Sequence, residues 1–170
     1  MQLLLLGLII FGLAFAIAGR MGAPYVPILK RDSDALFKLA ELKPGQTIID
    51  LGCGDGRMLR TAASQGIRGV GYEINPFMVV VAKIVCWRYR KLVTIHLADL
   101  WRVDLPPADA IYVFLMPRFM ERLDRRLSEQ IKQPTKVVSF AFAIPGRKTS
   151  AHNKNTFVYE YSGRSSQAGA

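Results

Sequence analysis

The stretch 47-TIIDLGCGDGRMLRTAASQG-66 joins an apolar run ending in an acid, three glycines at alternate positions, and a helical segment closed by a glycine. Its first four residues have the β-branched, apolar character of a short buried strand, and "RMLRTAASQ" reads as a helix with Gly66 as its C′ residue. A glycine-rich turn between a first strand and a helix lets backbone approach a ligand closely and aims helix N-terminal amides at it. A dinucleotide site would read GxGxxG, with pyrophosphate on the helix terminus; Gly52, Gly54 and Gly56 instead give GxGxG, with Asp50 before the turn and Asp55 inside it. Those acids oppose a pyrophosphate and suit a cationic ligand, one carrying an ammonium and a sulfonium.

Working outward, the apolar runs "TIID", "GVGYEI", "LVTIHL", "AIYVFL" and "KVVSFAFAI" read as strands separated by helical stretches. That alternation predicts an α/β fold, a doubly wound, mostly parallel sheet covered on both faces. Asp32 or Ser33 caps a short helix before it. Asn75 and Pro76 mark the cap and first position of the helix "FMVVVAKIVCWRYR", and another follows Pro117. The segment "DLWRVDLPPADA" is too short and proline-rich for a helix and is expected to be a loop. "TFVYEY" reads as a terminal antiparallel strand, residues 163–170 as a disordered tail, and His96, inside a strand, as a core histidine. The folded domain is expected over residues 32–162.

Two further acids end later strands. Glu73 closes "GYEIN", where a carboxylate can accept both hydroxyls of a ribose, and Asp99 closes "TIHLAD", where it can accept from an adenine amino group while Leu100 or Trp101 packs on the ring. Each acid alone reads as a solvated turn or helix-cap residue; together, at the carboxyl ends of three consecutive strands, they converge on one crevice. The set "DLGCGDGR", "GYEIN" and "LADL" resembles the class I S-adenosylmethionine-dependent methyltransferases. The resemblance implies a Rossmann-like fold, S-adenosylmethionine as cofactor, and a binding set of Asp50, Gly52, Cys53, Gly54, Asp55, Gly56, Glu73, Ile74, Asn75, Asp99, Leu100 and Trp101.

The amino terminus differs in kind. Met1 to Gly19 carries no charged residue and, as a helix, would cover roughly 28 Å, close to the hydrocarbon thickness of a bilayer. It is expected to be a single-pass transmembrane anchor. The competing reading, a cleaved signal peptide accepted at Ala14, Ala16 and Ala18, lacks a positively charged amino-terminal region. Arg20, Lys30 and Arg31 all follow the segment, which by the positive-inside rule keeps the domain on the cytoplasmic side. Residues 20–31, with Pro24 and Pro27, form an extended linker. The net charge of +10 favours an anionic partner. The two cysteines, Cys53 and Cys86, have no metal-ligand spacing, and no metal is expected.

With the anchor, "GAPYVP", "DLWRVDL" and "VFLMPRFMERL" included, the chain is similar to the membrane-anchored protein lysine methyltransferases of ATP synthase subunit c and the adenine nucleotide translocase, and their bacterial relatives. That resemblance implies a lysine of a membrane protein as methyl acceptor. Tyr25, Phe114 and Pro117 are the residues expected to wall the acceptor channel; each also reads as plain packing. The basic, aromatic segment "KIVCWRYRK" (Lys83 to Lys91) is a solvated helix end, a lipid-headgroup contact or an RNA contact, and the neighbouring anchor favours lipid over nucleic acid. Two alternatives remain open: a methyltransferase acting on a lipid or small hydrophobic molecule, and a cofactor-binding membrane protein without turnover.

Overall fold

The computed structural model describes Leu5 and residues 30–163. The expected anchor, Tyr25 in the linker, and the tail from residue 164 lie outside these residues. Among the described residues, no helix is long and apolar enough to cross a membrane.

The chain opens with α1 (Lys30–Leu39) and then alternates through β1 (Thr47–Leu51), α2 (Arg57–Ser64), β2 (Arg68–Glu73), α3 (Pro76–Val85), β3 (Val93–Leu97), β4 (Ala110–Val113), α4 (Pro117–Gln130) and β5 (Thr135–Phe140). It closes with β6 (Ala151–His152) and β7 (Thr156–Tyr161). Seven strands pair in the order β3-β2-β1-β4-β5-β7-β6, parallel from β3 to β5 and antiparallel at β7 and β6. The order reverses between β1 and β4, which places a crevice at their carboxyl ends. The mostly parallel, Rossmann-like sheet agrees with the sequence.

Strand periodicity divides the core in two. Ile48, Tyr112 and Val138 pack with Leu36 and Phe37 of α1, Met58, Leu59 and Ala62 of α2, and Val79 and Ala82 of α3. Ile49, Leu51, Ile111 and Val137 face the other way, onto Met120, Leu123 and Leu127 of α4. Three helices therefore cover one face, and a single helix with the 99–109 loop covers the other. That asymmetry explains one departure from expectation: His96 is exposed rather than in the core, stacked on Tyr72 at 5.4 Å, because β3 is an edge strand whose second face has no covering helix.

Local chemistry sets the ends. Gly66 (φ 77°) lets α2 finish in a Schellman arrangement, with the Gly66 amide on the Ala63 carbonyl at 3.1 Å and the Ile67 amide on the Ala62 carbonyl at 3.1 Å. Asn75 caps α3 as expected, its side chain accepting the Phe77 amide at 3.0 Å. α1 begins at Lys30, before the expected cap, and Ser33 is buried within it. β5 stops at Phe140, short of the apolar run, because Ala141 takes φ 68° and donates its amide to Asn155. β6 is a strand that the sequence reading does not foresee.

The close seating of α2 on the sheet depends on Gly71, where an added Cβ would lie 2.7 Å from Leu59 Cδ1 and 2.8 Å from Cys53 Sγ. Gly71→Ala is expected to overpack this layer and to lower stability in urea unfolding by about 1–3 kcal/mol. An unchanged midpoint would show that the layer yields.

Candidate active site

The turn after β1 is built from glycines for conformational and spatial reasons. Gly52, Gly54 and Gly56 have φ of 91°, 53° and 74°, a region that side-chain-bearing residues rarely adopt. An added Cβ at Gly56 would meet Ala82 and Cys86 of the α3 segment at 3.1 Å, so this glycine allows α3 to pack against the start of α2. At Gly52 a Cβ would meet nothing within 4 Å, so the backbone there faces open space that an approaching ligand could use.

Glu73, the last residue of β2, locks this turn in place. Its Oε2 accepts the Gly54 amide at 2.9 Å and its Oε1 accepts the Asn75 amide at 2.8 Å. Each carboxylate oxygen keeps acceptor capacity, so Glu73 can still receive ribose hydroxyls. Ile74, half-buried, and Asn75, buried, continue the chain from it, and the Glu73 carbonyl accepts the Ala98 amide from the end of β3. That bond draws Asp99 toward the same strand ends.

Asp50 lies inside β1, beside Gly71 and Tyr112 in register, and is 2 % exposed. None of the described residues donates a hydrogen bond to its carboxylate. Burial pushes its pKa well above the usual carboxylate range, and the nearby charges of Glu73 and Asp55 push in the same direction. A buried acid with no donor among the described residues, two residues before the open side of the turn at Gly52, fits a cationic group on a ligand. Asp55 is differently engaged: it accepts the Arg57 amide at 3.1 Å and pairs with the Arg57 guanidinium at 2.7 Å, capping the first turn of α2.

Cys53 contributes backbone to the turn, its amide donating to the Tyr72 carbonyl at 3.0 Å, while its sulfur packs in the core beside Gly71. Burial raises the Cys53 thiol well above its usual range, with Asp50 and Glu73 adding to the shift, and Cys86 is raised to about 11. Both stay protonated, as the reading of two small hydrophobes requires.

Asp99 lies two residues beyond the end of β3, its Oδ1 accepting the Trp101 amide at 2.9 Å. Trp101 is 9 % exposed and packs into the second core, with the Arg122 guanidinium 4.2 Å from its ring centroid and Phe119 at 5.8 Å. Of the two side chains expected to flank a ring, Leu100 is therefore the less enclosed.

At the end of β4, Phe114 stacks on Phe142 at 6.2 Å and meets Phe140 edge-on at 5.9 Å. The positive φ of Ala141 and the Ser139 hydroxyl bond to the Phe142 carbonyl at 2.6 Å turn the chain back so that both rings flank Phe114. Phe140 and Phe142 join Phe114 in this cluster and are not among the residues expected from the sequence; the signal for them is the aromatic alternation in "SFAFAI". Pro117 is exposed at the first position of α4, three residues from Phe114, and Tyr25 lies outside the described residues. Thus β1, β2 and β3 bring Asp50, Glu73 and Asp99 to one side of the crevice, and β4 and β5 bring an aromatic wall to the other.

Two substitutions test the cradle. Ionising a buried acid opposes folding, so the stability Asp50 contributes is fully present below its unfolded pKa, near 3.8, and is lost as pH rises through the raised folded value. Asp50→Asn without ligand is therefore expected to melt at a higher temperature than the parent at neutral pH, the gain vanishing as pH falls toward 4. A lower neutral-pH melting temperature would contradict the assignment. Gly52→Ala, which puts a side chain on a backbone of φ 91° and adds a methyl to the open side of the turn, is expected to weaken binding of S-adenosylhomocysteine at least about tenfold by calorimetry; equal affinity would place the ligand elsewhere.

The family model of the ANTKMT methyltransferase domain matches residues 50–151. The chain is 35 % identical over 129 residues to the adenine nucleotide translocase lysine N-methyltransferase of Mus musculus, covering 74 % of this chain and 56 % of that one. It thus spans little more than half the length of this curated relative. It is 31 % identical over 148 residues to a protein-lysine N-methyltransferase of Saccharolobus islandicus, covering 81 % of this chain and 92 % of the relative. Among solved structures, one described as an RNA methyltransferase from Salinibacter ruber, in complex with S-adenosyl-L-homocysteine, superposes with a TM-score of 0.72 at 31 % identity, covering 80 % of this chain and 92 % of that one. The turn, the three acids and these matches, two of which cover 92 % of the relative, agree: the chain belongs to the ANTKMT methyltransferase domain family.

Proposed function

We propose that this chain is a membrane-tethered, S-adenosylmethionine-dependent methyltransferase that modifies a lysine side chain of a membrane protein. The observation that carries the transferase reading is the convergence of Asp50, Glu73 and Asp99 on the glycine turn at the topological switch point. The cofactor, when bound, supplies an electrophilic methyl group on a sulfonium. Asp50 is placed to hold its ammonium, Glu73 its ribose hydroxyls and Asp99 its adenine amino group, with Leu100 and Ile74 as apolar flanks.

Methyl transfer is an in-line displacement, so the protein's task is to hold a neutral amine in line, in a dry site. Phe114, Phe140 and Phe142 supply an apolar wall for the aliphatic stem of a lysine. The amine must lose its proton first. Apolar surroundings and a neighbouring positive charge both lower an amine's pKa, so the wall itself promotes deprotonation and a dedicated base is unnecessary. The β4 end, Phe114 to Pro117, accordingly carries no carboxylate.

The uncharged run Met1 to Gly19, followed by Arg20, Lys30 and Arg31, supports a single-pass anchor with the domain on the cytoplasmic side. Tethering raises the effective concentration of the catalyst near membrane-protein acceptors without any new contact. The names of the mouse and archaeal relatives support a protein lysine; the description of the Salinibacter ruber protein, with the net charge of +10, favours RNA as the second reading.

Incubation of the full chain with native membranes, cell extract and methyl-labelled cofactor separates the two. Label recovered as methyl-lysine after protein hydrolysis is the expected result. Label in RNA or in lipid would overturn the lysine assignment.

A further inference from the structure

The α3 segment is apolar on nearly every side, yet only one stripe of it faces the protein. Val79, Ala82 and Cys86 are buried against α2 and the glycine turn, whereas Phe77, Val80, Val81, Ile84 and Trp87 are 40, 58, 40, 69 and 66 % exposed. These five recur at helical spacing along one outward strip. A helix that is apolar all round is ordinarily buried all round, so the strip needs a partner.

The surroundings indicate which one. Lys83, Arg88, Arg90 and Lys91 are exposed around the strip, the Arg90 guanidinium lies 5.0 Å from the Trp87 ring centroid, and no acidic residue occurs between Glu73 and Asp99. An apolar strip with a basic collar and a tryptophan at its end has the composition of an interfacial helix on an anionic bilayer. RNA would use the bases and the tryptophan but has no use for Val80, Val81 and Ile84. Continuity points the same way: α1, α2 and α3 form one layer, and α1 begins at Lys30, only eleven residues along the sequence from the end of the uncharged run at Gly19.

We infer that the outer face of α3, from Phe77 to Trp87, seats the domain on an anionic phospholipid surface, with Lys83, Arg88, Arg90 and Lys91 on the headgroups. The inference builds on the membrane location proposed above and adds an orientation. The α3 face lies down, the glycine turn that α3 packs against is held close to the bilayer, and a lysine emerging from a membrane protein meets the crevice at that level.

The chain has two tryptophans, and Trp101 is buried, so quenching by acyl-chain-brominated lipid reads Trp87. The full chain is added to brominated phosphatidylcholine vesicles with or without phosphatidylglycerol, beside a Val80→Glu/Ile84→Glu variant and a Trp87→Phe control. Expected is quenching that strengthens with phosphatidylglycerol and is lost in both variants, while the double variant keeps S-adenosylhomocysteine affinity and still co-sediments with vesicles. Co-sedimentation without Trp87 quenching overturns the α3 inference and leaves the anchor standing. Loss of both quenching and co-sedimentation in the double variant supports α3 and overturns the anchor. A parent chain that stays in the supernatant overturns both. Trp87 shielded from aqueous quencher by RNA or by rising protein concentration, with no lipid response, assigns the strip to another partner.

Discussion

Each oxygen of the Glu73 carboxylate takes a backbone amide from a different strand end, Gly54 after β1 and Asn75 after β2. Without those bonds, a turn of three positive-φ glycines would have no reason to hold one shape, because glycine loses more conformational freedom on folding than any other residue. The same carboxylate orients the cap of α3 through Asn75, and the backbone carbonyl of Glu73 receives the Ala98 amide from the end of β3. Three strand ends are thus tied at one residue, and the positions of Asp50 and Asp99 follow from the tie. A residue that grips a ligand by side-chain oxygens already fixed by backbone donors needs little rearrangement on binding, which is what preorganisation means at this scale.

Much of this was legible in the sequence because the signals were local. "TIIDLGCGDGR" encodes a strand, a turn and a helix start within one short window, and Asn75-Pro76 or Gly66 specify helix ends by the chemistry of a single residue. What was hidden depended on partners distant in the chain. The exposure of His96 follows from the missing helix beyond β3, and the burial of Trp101 follows from Arg122 and Phe119 on a helix that begins only at Pro117. Phe140 and Phe142 read as strand residues until Ala141 and Ser139 bend the chain around Phe114. The structural duty of Glu73 has no sequence signature at all, since a strand-end acid looks the same whether it waits for a ribose or already holds two amides.

Charge is distributed in two opposed regions. The chain carries 23 basic and 13 acidic residues, yet Asp50, Asp55, Glu73 and Asp99 gather at one set of strand ends. Of these, Asp50 has the least compensation, and burial makes its ionisation costly. Placing a carboxylate where it weakens the empty protein makes sense only if a cation relieves it, and a native state that is destabilised at its site is a common trade between stability and function. The acids suit a cationic ligand, while the basic exterior suits anionic surfaces, so the two fields sort ligands between crevice and body.

The short second face turns an economy of chain into a coupling. Where a helix would follow β3, only the 99–109 loop is present: α4 holds its first half, where Arg122 covers Trp101 and the Arg126 guanidinium donates to the Val103 carbonyl, while Gln133 and Thr135 donate to the Ala108 carbonyl near its end. Yet α4 starts at Pro117, directly after Phe114 and its aromatic wall. One element therefore has its first turn near the aromatic cluster and its arginines on the loop carrying Asp99. The middle of α4 is tied to β7 and the 141–150 loop, where Asp124 accepts from Arg147 at 2.6 Å and from the Tyr161 hydroxyl at 2.5 Å. A displacement of the aromatic cluster that shifts α4 would therefore also shift the loop carrying Asp99, which couples the two halves of the crevice through one helix.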